Sequence, residues 1–203
     1  MAINKQLRPS ADKTRGLILQ TARRLFIQHG FAGTSMSQLA KQAEVNQSLI
    51  SHHFGNKKKL WQQVKASIIA DAVISPVETH PRNLRAFLTK IIYQQFDIFT
   101  QHPELIRLLS WQRLEPKQAQ LMGGHATAPT QWLVPFRFLQ KNGQLDSDVN
   151  PEFLMIWIAG SVTSLMLDDH AVFKQNTARK KVYIDMLIER LYKAFAIKPP
   201  SHI

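Results

Sequence analysis

Between residues 35 and 57 the chain reads S-M-S-Q-L-A-K-Q-A-E-V-N-Q-S-L-I-S-H-H-F-G-N-K, and few folds accommodate that pattern. Leu39, Ala40 and Ala43 recur at helical spacing on one short element. Spacing of the same kind places Ile50 and Phe54 on the inner side of a second. Ala40 is small enough for another helix to cross close by, and Val45 seals the turn between the two elements. Gln47, Ser48, Ser51 and His52 are left on the outer face with no core to serve. Two short helices joined by a tight turn, the second presenting short polar side chains, is the layout of a helix-turn-helix that reads DNA.

A pair of short amphipathic helices occurs in most all-α proteins, so the distribution of charge decides between readings. The chain carries a formal net charge of +12. Residues 1–60 hold ten Lys or Arg against two acids, Asp12 and Glu44, a net +8, and the other 143 residues carry only +4. Positive charge gathered beside a candidate reading helix is what a phosphate backbone requires. A merely solvated basic surface gives no reason for the charge to sit there.

The stretch T-R-G-L-I-L-Q-T-A-R-R-L-F-I-Q-H-G-F-A-G-T-S-M-S-Q-L-A, followed by the segment above and closed by N-K-K-K-L, resembles the TetR family of bacterial transcriptional regulators over about residues 12–65. Thr14-Arg15, Leu25-Phe26, Gly30-Phe31, Thr34, Leu39-Ala40, Ala43, Val45, His53-Phe54, Lys57 and Leu60 fall in the family's order. Two positions depart from it. Glu44 stands where the family commonly has Gly in the turn, and Ser51 where it has Tyr. A left-handed Glu44 costs about 1–2 kcal/mol relative to Gly. Ser51 lacks the phenol that approaches a phosphate in relatives, a contact for which the Ser51 hydroxyl, His52 or His53 is the replacement.

On this reading the DNA-contacting set is Ser35, Asn46, Gln47, Ser48, Leu49, Ser51, His52, His53 and Lys57. Gln47 and Ser48 are expected at base edges, since a Gln amide both donates to and accepts from adenine, and Leu49 at a thymine methyl. Ser35, Ser51, His52 and Lys57 are expected at phosphates. One reading helix covers only a few base pairs, so a double-stranded operator with two half-sites and a two-fold dimer are expected together.

The rest of the chain predicts more helices and no strands, an all-α fold of about nine. Residues 10–29 carry an apolar stripe ended by Gly30, and Thr34 or Ser35 and then Asn56 are candidate caps for the second and fourth helices. The fourth helix is expected to run to about residue 74, before Pro76 and Pro81. Helices follow over 82–101, from Pro103, from Pro151 and over 177–196, with a broken helix across 117–141, where Gly123-Gly124, Pro129 and Pro135 interrupt. The expected organisation is a DNA-binding domain over 10–56, a connecting helix over 57–75, and an effector-binding and dimerisation domain over 76–203. Resemblance in this last part is one of layout.

Phe99, Trp111, Gln112, Met122, His125, Trp132 and Phe136 are the candidate effector-binding residues. The aromatic side chains and Met122 provide an apolar wall beside broken helices, and Gln112 and His125 the polar contacts. The two C-terminal helices, with Gly160 permitting close approach, are the expected homodimer interface.

Other classes fare worse. The chain has no cysteine and no paired-histidine metal motif, so neither a metal nor a cofactor is expected. Asp168-Asp169 beside His170 reads as a solvated helix end in preference to a catalytic pair, and no phosphate-binding Gly-rich loop is present, so an all-α enzyme is the weaker alternative. A nonspecific DNA-compacting protein would not need so large an apolar C-terminal part. No apolar run approaches the ~18 residues of a membrane span, and the first residues lack the hydrophobic centre of a secretory signal, so a cytoplasmic protein is expected.

Overall fold

The computed structural model describes residues 11–72, 75–114, 129–167 and 172–197. Nine α-helices account for most of these: α1 (Ala11–His29), α2 (Met36–Gln42), α3 (Gln47–Phe54), α4 (Lys57–Asp71), α5 (Leu84–Gln101), α6 (Pro103–Leu114), α7 (Leu133–Lys141), α8 (Pro151–Leu167) and α9 (Thr177–Phe195). A short 3-10 turn, Pro129–Trp132, leads into α7, and extended pairing among the described residues is confined to an isolated bridge between Leu145 and Ala196. The fold is all-α.

Helix ends fall where the sequence supplies a cap. The side-chain oxygens of Ser35, Asn46, Asn56, Asn83 and Asn176 each accept a backbone N–H three residues on, satisfying donors that a helix start leaves open. Thr34, the other candidate cap for α2, is buried instead, its hydroxyl turned to the carbonyl oxygen of Gly30 at 2.9 Å. Gly30 itself has φ +71 and stops α1, a conformation at no steric cost only for glycine.

The described residues divide into two compact units. The first takes α1 to α4 together with the second half of α6, from Arg107. Its core is built where α1 meets α2 and α4. Ile18, Ala22 and Phe26 of α1, Leu39 of α2 and Leu60 and Trp61 of α4 are all buried, with the Phe26 and Trp61 rings 4.9 Å apart. The chain-order boundary expected near residue 76 leaves all of α6 in the second domain. The difference has a local cause in Trp111, whose indole N–H donates to the carbonyl oxygen of Ile27 at 3.0 Å. Its ring also covers Gly30 so closely that a Cβ there would lie 2.7 Å from it.

The second unit packs α5 against α8 and α9. Phe87 of α5 meets Phe136 of α7 edge to face at 5.4 Å, and Leu154, Ile158, Ile184 and Ile188 are buried. Two glutamine amides fasten the loop ends. Gln144 accepts from the Leu84 N–H and donates to the Arg82 carbonyl, while Gln140 donates to the carbonyls of Asp146 and Val149. Among the described residues no helix is long and apolar enough to cross a membrane, and no group of three or more potential ligands gathers as a metal site.

Candidate nucleic-acid interface

Helix α3 is short because the sequence both starts and stops it. Asn46 Oδ1 accepts the Leu49 N–H at 2.7 Å at one end, and Gly55, at φ +76, turns the chain away at the other. Ile50 and Phe54 are buried, which fixes the rotation of the helix about its axis. Gln47, Ser48, Ser51 and His52 are then exposed together, as their spacing predicts, with Leu49 and His53 half-buried at the margins. The His52 and His53 rings stand edge to face at 5.4 Å.

The turn before α3 is held by two backbone bonds, Val45 N–H to Ala40 carbonyl at 3.0 Å and Glu44 N–H to Lys41 carbonyl at 3.3 Å. That is the pattern of a helix ending on a left-handed residue, with an apolar side chain just after it. Glu44 is that residue, at φ 52. The turn therefore keeps the conformation that glycine would adopt freely, and the strain expected of Glu44 is present.

Asn46 and Ser48 are tied to one another, the Ser48 hydroxyl donating to Asn46 Oδ1 at 2.7 Å. Asn46 is thus committed to capping α3, whereas the exposed Gln47 side chain has no such local task. At the start of α2 the hydroxyls of Ser35 and Ser37 lie 3.1 Å apart. Ser37 is a further exposed polar group that the sequence reading passed over, although its place two residues after the cap is visible in S-M-S. Lys57 has its ammonium 4.4 Å from the centre of the Phe31 ring, and the Arg15 guanidinium lies 5.1 Å from that of Phe54. Lys58 and Lys59, counted in the basic charge but left out of the expected contacts, are exposed beside Lys57 in the first turn of α4. Cations there oppose the helix dipole, at about 0.3–1 kcal/mol each. A nearby polyanion offsets that cost.

The candidate effector residues are placed as follows. Phe99, Trp132 and Phe136 are buried in the second unit, while Trp111 packs on Gly30 in the first. Met122, His125 and the side chain of Gln112 lie outside the described residues, as do Asp168, Asp169 and His170.

Two family models match the chain, one described as bacterial regulatory proteins, tetR family, over residues 18–64, and one as tetracyclin repressor-like, C-terminal domain, over residues 88–190. The second spans half of the chain. The chain belongs to the TetR family. It is 34% identical over 113 residues to the HTH-type transcriptional repressor SCO4008 of Streptomyces coelicolor, covering 56% of this chain and 55% of that protein. It is 30% identical over 113 residues to the HTH-type transcriptional repressor NicS of Pseudomonas putida, covering 51% of this chain and 50% of that protein. The match thus spans about half the length of these two curated relatives. A TetR-family transcriptional regulator (HI0893) from Haemophilus influenzae shares the fold, with a TM-score of 0.65 at 18% identity over 94% of this chain and 100% of that one.

Proposed function

We propose that this TetR-family chain is a transcriptional repressor that binds a palindromic DNA operator as a two-fold dimer and is released by a small, largely apolar effector. The observation that carries the reading is the exposed face of α3, where Gln47, Ser48, Ser51 and His52 stand clear of a helix anchored by Ile50 and Phe54. Gln47 and Ser48 meet base edges and Leu49 a thymine methyl, while Ser35, Ser51, His52 and Lys57 hold phosphates. Asn46 acts through the shape of α3, and His53 supports that helix from its half-buried side. Exposed apolar side chains on α8 and α9 supply the dimer interface. The effector occupies the second unit, near Phe99, Trp132 and Phe136, and favours a conformation in which the two reading helices no longer match their half-sites.

Selection of bound duplexes from a random pool tests this. A regulator enriches a short palindrome and prefers it over bulk DNA by about a thousandfold or more. Enrichment of no sequence, with equal affinity for bulk DNA, would leave the DNA-compacting alternative.

A further inference from the structure

Helix α5 buries one face along its whole length. Leu84, Leu88, Ile91 and Phe99 succeed one another on that face, and all four are buried. The step between Ile91 and Phe99, four residues from each, is Gln95. Its amide oxygen is buried with no hydrogen-bond partner, and among the described residues no other side-chain nitrogen or oxygen is in that condition. An orphaned buried acceptor costs about 1–3 kcal/mol, a cost that an apolar side chain at the same step avoids. Gln95 as a residue is half-buried, and it is the amide oxygen alone that packing leaves without a partner.

We propose that the Gln95 amide oxygen is the polar anchor of the effector site, and that the effector is a neutral, largely apolar molecule with an N–H or O–H group to donate to it. This rests on the effector-binding reading above and names the chemistry of its ligand. The class follows from the surroundings. Ile91 and Phe99 flank Gln95 one turn away on either side, so the body of the ligand meets hydrocarbon. The amide oxygen accepts and carries no charge. A carboxylate, ether or ketone would set acceptor against acceptor, and a cation would be desolvated without a counter-charge. One polar group within an apolar wall is the usual composition of a small-molecule site, and it fixes orientation.

The test uses the full-length protein and matched probes that differ by one methyl on the donor: indole and 1-methylindole, phenol and anisole, benzyl alcohol and benzyl methyl ether. Dissociation constants come from the dependence of the thermal unfolding midpoint on probe concentration. Donor members are expected to bind about fivefold to tenfold more tightly than their methylated partners. Gln95→Met, unbranched and of similar length, is expected to abolish that difference and to raise the midpoint of the probe-free protein. Equal binding by both members of every pair, or preference for the methylated ones, would overturn the anchor and leave the effector reading standing. No shift with any probe would count against both. A lower midpoint for probe-free Gln95→Met would mean that the oxygen already has a partner such as a buried water, and would overturn the proposal. The probe comparison on the parent protein needs no variant to fold.

Discussion

Glu44 carries backbone strain where the first unit can least spare a distortion, in the turn that sets the direction of α3. Its φ of 52 is the left-handed region, and the two backbone bonds that close the turn hold it there. Glu44→Gly is therefore expected to stabilise the protein by about 1 kcal/mol with the turn unchanged, read as a higher midpoint in urea. A lower midpoint would mean that the carboxylate makes a contact worth more than the strain. On the proposed function, Gln47 and Lys57 represent two different kinds of DNA contact. Gln47→Ala is expected to cost about 1–3 kcal/mol at one operator position, whereas Lys57→Ala weakens every sequence and lowers the salt slope by about one. Equal losses for Gln47→Ala on operator and random duplexes would remove it from the bases. The outer face of α3 was legible in the sequence because four polar residues recur around two apolar ones at helical spacing. The task of Asn46 was not, since one side-chain oxygen serves equally as a cap or as a contact until the helix start is located.

At the scale of helices, apolar periodicity and capping residues made the order of elements legible, and what stayed hidden was which helix each aromatic side chain meets. Trp111 is an aromatic side chain of the kind that lines ligand sites, yet its indole lies on Gly30, whose missing side chain leaves room for the ring. Gly30→Ala is expected to destabilise by about 2 kcal/mol or more, combining left-handed strain with the collision at Trp111. Pairing it with Trp111→Leu should recover the collision and leave the strain, a non-additivity that denaturant unfolding of the two single variants and the double variant measures. Strict additivity would show that the ring does not press on that position. Helix α5 is held to α9 by the Tyr93 hydroxyl, which donates to Asp185 at 2.6 Å. That hydrogen bond first, then burial and the charges of Asp185 and Asp97, push the Tyr93 pKa up from 10.0 to about 12. The neutral phenol is thus the folded form's preference. Its contribution is complete below about pH 10, the ordinary value, and is lost as pH rises towards 12. Tyr93→Phe is expected to cost about 1 kcal/mol at neutral pH, the modest figure reflecting partial exposure. The gap between parent and variant should close in alkali, and a gap constant with pH would contradict the assignment.

The whole molecule poses a question that its single chain leaves open, because α8 is apolar on every side. Leu154, Ile158, Val162 and Leu165 enter the core of the second unit, while Phe153, Ile156 and Trp157 remain 60%, 59% and 54% exposed. On α9, Ile184, Ile188 and Leu191 are buried, and Val182 and Met186 are 69% and 53% exposed. On α8 the sequence could not divide the two sets. When nearly every position of a helix is apolar, periodicity no longer tells which side meets the chain's own core and which a partner. Apolar surface of this extent on two helices is more than a lone chain normally exposes, and a second copy covering it would join the four helices in a bundle about a two-fold axis. The choice of test residue follows from the same division. Leu191 is buried, so a charge there would damage the fold and report little about association. Trp157 rests one face on Phe195, with the rings 5.5 Å apart, and more than half of it is exposed, so it can be charged with far less damage to the core. Light scattering at micromolar concentration is expected to give twice the chain mass for the parent and the single-chain mass for Trp157→Glu combined with Met186→Glu. The monomeric variant should keep its helical circular dichroism and lose preference for a palindrome over a single half-site, since only the pairing of reading helices has been removed. A parent protein of single-chain mass, or a charged variant still dimeric, would place the interface elsewhere.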